Sequence, residues 1–342
     1  MNQVQIYNPN LLKVFRVVLA FLVWFSHAYT LIGSSWNEPV LVASNGRFGI
    51  GTLALDCFML LSGFLLMKAY TARPNVLDYW QRRFLRIYPP YAISIFLIIV
   101  MAYFLSADKL SSYLCSKDFI HFIENFSLFH QHYVLPGVFN NSLHKLIAVD
   151  GSIWSLPYEI LLYAIIPLLF LLNNKSIINL LLIASVLLFL FLNQRTLEQL
   201  PLFDLNVLAH LCIPFLIGVF LSNSFNKFQL LLAFAGLSLL YFYDKIYLSS
   251  IVIFTTEAYL MYFLLAYFKQ SQLLNKYALP DISYGVFLYG FFVQQACIEL
   301  FPLSEFGFSI YLCISLLGTV IFALFSWYCV EIRFLKLKQK IA

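Results

Sequence analysis

The sequence predicts an all-α integral membrane protein, and its composition gives the main support for this fold class. Of its 342 residues, 62% are hydrophobic and only 11% are charged, and the mean hydropathy is +0.83. Soluble domains contain about one half apolar and one quarter charged residues. We therefore expect a single transmembrane domain over residues 1–342 with no appended soluble domain.

Apolar segments of about 20 residues, bounded by charges and turn residues, predict ten transmembrane helices. They cover residues 12–33, 48–68, 89–107, 153–172, 176–193, 205–222, 228–244, 247–268, 283–303 and 307–330. The fifth and seventh segments are weak, and merging or omitting them gives eight helices as the alternative.

The distribution of Lys and Arg predicts the orientation, because positively charged loops stay in the cytoplasm. With ten helices and the amino terminus inside, 15 of the 21 basic residues fall on the cytoplasmic side and six fall outside. Both termini are therefore expected in the cytoplasm of a multi-pass protein. The net charge of +5 reflects this topology and contact with anionic lipid, and no basic soluble surface for nucleic acid is expected.

Ionisable side chains inside apolar helices mark candidate functional sites, because each costs several kcal/mol unless it meets a polar cavity or a partner. In the first segment, Arg16 and His27 are eleven residues apart, which puts them on one face of a helix at a separation of about 16 Å. A carboxylate beside a histidine suits general-base catalysis, with a structural hydrogen bond or a proton relay as the alternative. The acidic residues in or at the ends of the segments are Asp56, Glu159, Glu257 and Glu331.

A second candidate site is the basic run before the third segment. Arg83 and Arg86 are three residues apart and would project together from a helix. Planar guanidinium groups suit phosphate contacts, and Arg16 would lie at the same membrane boundary. Anionic lipid headgroups would satisfy such a run equally well.

The longest loop, residues 108–152, contains four of the six histidines. His130 and His132 form a His-x-His pair, but a zinc site needs further ligands at a recognisable spacing. The six cysteines also lack such spacing. We expect a partly helical outer cap over a polar cavity, and no metal.

Several segments together resemble acyltransferase family 3, membrane enzymes that O-acetylate bacterial surface polysaccharides. The family's Arg-x10-His signature, with a lysine three residues before its arginine, matches Lys13, Arg16 and His27, and its Arg-x-x-Arg signature matches Arg83 and Arg86. Gly290 stands where the family commonly has a histidine. Further similar segments, in the expected order, are Asp56–Leu65, Ser152–Glu159, Asp281–Gly285 and Trp327–Glu331.

The resemblance implies an O-acyltransferase in the bacterial inner membrane. It would move an acetyl or longer acyl group, not an amino-acyl group, from cytoplasmic acyl-CoA to a hydroxyl of a cell-surface sugar or polysaccharide precursor. His27 would be the general base, oriented by Asp56 or Glu159. The phosphates of acetyl-CoA would be bound by Lys13, Arg16, Arg83 and Arg86, and the sugar would contact Trp154, Ser155 and Tyr158.

A polytopic transporter or flippase of a lipid-linked sugar is the alternative function. It would normally show internal repeats or broken helices in corresponding halves, and the sequence has no such symmetry. The expected partners are acyl-CoA, a sugar acceptor and membrane lipid. The sequence does not specify the acceptor, the acyl chain length or the oligomeric state, and a homo-oligomer is compatible with it.

Overall fold

The computed structural model describes residues 9–34, 37–46, 48–141, 143–172, 204–223 and 279–341. In these ranges the regular elements are helices, without any β-strand, and six helices are long and apolar enough to cross a membrane. The predicted segments 176–193, 228–244 and 247–268, with Glu257, lie outside the described residues. Ten transmembrane helices and cytoplasmic termini therefore stay predictions.

Seven of the predicted segments coincide with helices in the described residues. The helices are α1 (Pro9–Leu31), α2 (Pro39–Ala43), α3 (Ile50–Ala72), α4 (Val76–Leu105), α5 (Leu110–Cys115), α6 (Lys117–Ile123), α7 (Leu156–Leu172), α8 (Leu205–Asn223), α9 (Ser283–Leu300), α10 (Leu303–Phe325) and α11 (Ile332–Ile341). Short 3₁₀ helices cover Glu124–Ser127 and Ser152–Ser155, and a π-helical turn covers Ser326–Glu331.

Helix α4 differs from the prediction at its start. The sequence placed this boundary at residue 89, but the helix begins at Val76 and includes Pro89 and Pro90. Proline removes a helical hydrogen bond, yet transmembrane helices tolerate it where neighbouring groups supply polar contacts. One residue beyond the carbonyls that Pro89 and Pro90 leave free, the Tyr284 hydroxyl donates to the Ile87 carbonyl at 3.0 Å. The basic run is therefore part of the same helix as the apolar segment.

The contacts divide the chain into two compact units. The first comprises residues 1–15, 52–76 and 158–279, and the second comprises 16–51, 77–157 and 280–342. In the first unit, α3 and α8 approach closely at two glycines: a Cβ atom would lie 2.1 Å from the Phe215 oxygen at Gly63, and 2.0 Å from the Leu60 oxygen at Gly218. Small residues that bring backbones together are a common basis of helix packing in membranes.

In the second unit, α9 packs along α10 through small residues. A Cβ atom at Gly285 would lie 2.7 Å from the Cα of Ala323, and one at Gly318 would lie 2.8 Å from Val293. Helix α4 joins this core through its buried residues Tyr91, Ile95, Ile98 and Ala102. Close backbone approach in this unit fixes the positions of the side chains that α9 and α10 present.

The segment between α4 and α7 is a packed, partly helical loop, as predicted for its secondary structure. Tyr113 donates to the Ile99 carbonyl at 3.0 Å and Tyr91 donates to the Asn125 carbonyl at 2.8 Å, so the first half of the loop is tied to α4 at two points. Asn125 also exchanges two 2.8 Å hydrogen bonds with the backbone of His132. These contacts belong to the second unit, which also contains most of the candidate site.

Candidate functional site

Four charged side chains meet in the second unit and form what we call the arginine cluster: Arg16, Arg86, Asp281 and Glu331. The Oδ2 atom of Asp281 lies 2.6 Å from Nη2 of Arg16 and 3.0 Å from Nη2 of Arg86. Nη1 of Arg86 lies 3.9 Å from Oε2 of Glu331. Both carboxylates are almost fully buried, with Asp281 2% and Glu331 1% exposed. Buried charges of this kind need close partners.

Two serines hold the carboxylates of the arginine cluster. Ser283 donates to Oδ1 of Asp281 at 2.6 Å, and Ser326 donates to Oε1 of Glu331 at 3.1 Å across the π-helical turn. Burial would raise the pKa of Asp281, but the charges of Arg86 and Arg16 and the hydrogen bonds from Ser283 and Arg86 outweigh it, so this pKa is lowered. Asp281 is therefore ionised at neutral pH.

Two further residues, Lys13 and Arg83, were predicted to bind the donor, whereas their neighbour Arg82 was not. Arg82 pairs with Asp78 one helical turn away on α4. Arg83 is half-buried on the same helix. Lys13 belongs to the first unit, where its Nζ donates to Asn10 and to the Leu279 carbonyl, both at 3.3 Å. Arg16 and Arg86 are therefore the two members of the predicted phosphate-binding set that the structure joins through one carboxylate.

His27 lies on α1 eleven residues after Arg16, at a helical distance of about 16 Å. Its half-buried ring packs edge-on against Phe291 of α9, with the ring centroids 5.4 Å apart. One turn earlier, Trp24 donates to Thr319 Oγ1 at 3.1 Å, and its carbonyl accepts from Gln294 at 2.8 Å. Helix α1 is thus fixed against α9 and α10 just before His27.

The Phe291 ring also contacts the turn that precedes α7. A Cβ atom at Gly151 would lie 2.7 Å from that ring, so only glycine fits there without a shift. We call His27, Phe291 and the turn of residues 150–155 the histidine region. Asp150 begins this turn, and its Oδ1 accepts from the Ser152 backbone at 3.0 Å. The side chain of Asp150 therefore forms an Asx turn before this 3₁₀ helix, a role that the sequence prediction missed.

The Asp150 carboxyl is buried and accepts hydrogen bonds from Ser152. Ser152 Oγ lies 2.6 Å from Asp150 Oδ1 and 2.8 Å from the Phe287 carbonyl oxygen. The single hydrogen of the Ser152 hydroxyl is shared between these two acceptors, Asp150 Oδ1 and the Phe287 carbonyl. Burial raises the pKa of Asp150 to about 6, although the hydrogen bonds from Ser152 act to lower it.

The three predicted sugar-binding residues have different surroundings. Ser155 is buried, and its Oγ has no hydrogen-bond partner in the ranges that the structure describes. Trp154 is half-buried in the same turn. Tyr158 belongs to the first unit, where its hydroxyl accepts from the Asp204 backbone at 2.9 Å. Trp154 and Ser155 are thus in the histidine region, and contact of all three with a sugar stays a prediction.

The carboxylates predicted to orient His27 belong to the first unit and have their own partners there. Asp56 Oδ1 lies 3.0 Å from Nε2 of His210, and Glu159 accepts from the Tyr163 hydroxyl at 3.0 Å. Their pairing with His27 stays a prediction. His210 was missed, although a histidine inside the predicted segment 205–222 already broke the rule that excludes ionisable residues.

His144 fastens the outer loop to α9. Its Nε2 lies 2.7 Å from Glu299 Oε2, and its Nδ1 lies 2.7 Å from Gln295 Oε1. Gln295 donates its amide hydrogens to the carbonyls of Leu146 and Ala148, which makes its Oε1 an acceptor. Asn141 donates to both oxygens of Glu299. Both ring nitrogens of His144 therefore lie beside oxygen atoms of α9 side chains.

The His-x-His pair of the loop contacts neighbouring side chains. His130 Nδ1 lies 3.1 Å from Ser127 Oγ, and His132 Nε2 lies 3.1 Å from Glu124 Oε2. Within the described ranges, no group of three or more His, Cys, Asp or Glu residues is arranged to hold a metal ion.

Comparison with known proteins gives a family and one curated relative. The model of the acyltransferase domain of family 3 matches residues 11–328. An O-acetyl transferase of Shigella phage Sf6 is 26% identical over 348 residues, covering 96% of this chain and 97% of the phage protein. No solved structure matches. With a family match over nearly its whole length and six helices able to span a bilayer, the chain belongs to acyltransferase family 3 and is a multi-pass membrane protein.

Proposed function

We propose that the protein is an inner-membrane O-acetyltransferase of a bacterium, which moves an acetyl group from cytoplasmic acetyl-CoA to a hydroxyl of a cell-surface sugar or polysaccharide precursor. The family match and the name of the phage relative support acyl transfer to oxygen. The observation that carries the mechanism is the face of α1 that presents Arg16 at one end and His27 at the other, about 16 Å apart. That separation is close to the length of an extended pantetheine arm.

The reaction uses His27 as general base. Its imidazole takes the proton of the acceptor hydroxyl as the oxygen attacks the thioester carbonyl, and a carbon–oxygen bond forms. The carbon–sulfur bond then breaks, and the departing CoA thiolate takes the proton back from the imidazolium. Asp56 or Glu159 orients the imidazole in this proposal. Holding donor and acceptor together away from water supplies much of the rate.

The donor enters at the basic end of α1. The sequence assigns its phosphates to Lys13, Arg16, Arg83 and Arg86, whose positive charge suits the nucleotide part of CoA. The acceptor occupies the histidine region, where Trp154 and Ser155 are the proposed contacts, together with Tyr158. The mechanism needs no metal, and membrane lipid surrounds the helices.

The experiment that tests this proposal uses purified protein in lipid vesicles with radiolabelled acetyl-CoA. Surface polysaccharide that mild alkali has stripped of its acetyl esters serves as the acceptor. We expect label in the polysaccharide with the wild type and loss of about 10²–10⁴-fold in rate with His27→Gln, the usual contribution of a general base. His130→Gln is the matched control, because this exposed loop histidine lies outside the proposed site.

The two outcomes separate the competing functions. A transporter would leave the acetyl-CoA unconsumed. A His27→Gln protein that is folded and transfers acetyl at the wild-type rate would show that His27 is not the base.

A further inference from the structure

Residues 144–149, which we call the strap, lead directly into the turn of the histidine region and are held by one side chain of α9. Gln295 donates from its Nε2 to the carbonyls of Leu146 and Ala148, both at 2.8 Å. Its Oε1 lies 2.7 Å from Nδ1 of His144. Gln295 is fully buried, and burial of an amide is costly unless its hydrogens and its oxygen have partners. This satisfied group therefore fixes the strap on α9.

The contacts of the strap and of the turn follow one face of α9 towards His27. Glu299, Gln295 and Phe291 are four residues apart, so their side chains project from the same side of the helix. The strap contacts the first two of them. Phe291 lies against the turn at Gly151, and its ring also packs against the ring of His27. One face of α9 therefore sets where the turn lies relative to the proposed base.

The turn carries two of the residues that the proposed function assigns to the acceptor. Trp154 and Ser155 belong to the short 3₁₀ helix that follows Gly151. Because the strap leads into this turn, a shift of the strap would move both side chains relative to His27. The basic residues proposed for the donor lie on α1 and α4, outside the strap. Contacts of the strap should therefore affect binding of the acceptor and not binding of the donor.

We propose that Gln295 and His144 are positioning residues for the acceptor. By holding the strap on α9 they fix the turn that carries Trp154 and Ser155, and they set the affinity for the acceptor sugar but not for acetyl-CoA. This inference rests on the proposed function, because it takes the histidine region as the acceptor site. It assigns a role to two polar residues that take no part in the chemical step.

The test measures KM for each substrate separately, in the vesicle assay with acetyl-CoA and deacetylated surface polysaccharide. Gln295→Met keeps the length of the side chain but loses its polar contacts. We expect KM for the polysaccharide to rise about 10-fold, as for the loss of one hydrogen bond to a ligand, and KM for acetyl-CoA to stay within about twofold. His144→Gln leaves the bonds from Gln295 to the strap carbonyls in place and should raise KM for the polysaccharide less.

A purely structural role gives a different result, because a variant that only loses stability contains less active protein, which lowers kcat and changes neither KM. Tyr113→Phe is the control, since it removes a hydrogen bond that ties the first half of the same loop to α4 and should leave KM for the polysaccharide unchanged.

The outcomes that overturn the inference differ from failure of the proposed function. If folded Gln295→Met and His144→Gln proteins have the wild-type KM for the polysaccharide, or if KM rises equally for both substrates, the inference is wrong. If Gln295→Met does not fold, the same comparison with His144→Gln alone decides. If the wild type transfers no acetyl at all, the proposed function fails, and this inference fails with it.

Discussion

The arginine cluster and the histidine region of the second unit satisfy their polar groups in opposite ways. In the arginine cluster, charges are paired inside the fold, and the carboxylates are fastened by serines. In the histidine region, the imidazole packs against Phe291, while Asp150 Oδ2 and Ser155 Oγ are buried with no hydrogen-bond partner in the described ranges. Paired charges hold helices in place, whereas unsatisfied groups beside a titratable side chain suit a site where a ligand binds and reacts.

The largest effect of a substitution on stability is expected at the arginine cluster. Asp281→Ala leaves two guanidinium groups without their shared anion and should destabilise the protein by about 3–5 kcal/mol, measured by thermal unfolding in detergent. Because the pKa of Asp281 is lowered, its contribution is present above the ordinary carboxyl pKa and is lost as the pH falls through the lowered value.

Asp78→Ala is the control for this prediction, since the partly exposed Asp78–Arg82 pair on α4 should contribute only about 0.5 kcal/mol. Equal losses in the two variants would mean that the arginine cluster does not stabilise the fold.

A smaller effect on stability, with the opposite dependence on pH, is expected at Asp150. Its pKa is raised from 3.8 to about 6, so its contribution is present at pH values below the ordinary carboxyl pKa and is lost as the pH rises through 6. That difference corresponds to roughly 3 kcal/mol. Asp150→Asn should therefore remove part of the loss of stability between about pH 4 and pH 7, observed as a flatter profile of unfolding temperature against pH. Identical profiles for the two proteins would contradict a raised pKa of Asp150.

A third effect concerns the turn of α1 before His27. A Cβ atom at Gly290 would lie 2.9 Å from Trp24 Cδ1, so Gly290→Ala should cost about 1–3 kcal/mol through overpacking. The smaller ring of Trp24→Phe should relieve the contact, and a double-mutant cycle measures the coupling. If the losses in free energy of unfolding are additive in this cycle, Gly290 and Trp24 are not energetically coupled.

The smallest effect is expected at Ser155. Because its Oγ has no partner in the described ranges, Ser155→Ala should change stability by less than about 0.5 kcal/mol. Ser94→Ala is the matched control, because the buried Ser94 donates to the Tyr91 carbonyl at 2.7 Å and loses that bond. A large loss in Ser155→Ala would reveal a hydrogen bond and make Ser155 a structural residue.

The sequence predicted the parts of this molecule that depend on local pattern. Apolar length located seven helices of the described residues, and the spacing of Arg16 and His27 placed them on one face of α1. The continuation of α4 through Pro89 and Pro90 was missed, because the tolerance of proline inside a membrane helix depends on its surroundings in the fold and not on the local sequence.

The sequence also did not predict contacts between residues that are distant along the chain. Asp281 follows Arg16 by more than 260 residues, and its contact with Arg16 and Arg86 follows from packing that no spacing rule encodes. His210 near Asp56 is a similar case. Both pairs combine an ionisable residue of one helix with a partner supplied by a different segment. The sequence shows each residue separately, but it does not show which residues pair.

The most direct test of acetyl transfer through His27 is mass spectrometry of surface glycans from cells that lack the gene and carry either the wild-type or the His27→Gln allele. The account predicts glycans heavier by whole acetyl groups with the wild type and unacetylated glycans with His27→Gln, at equal amounts of folded protein. Glycans acetylated to the same extent with both alleles would contradict it.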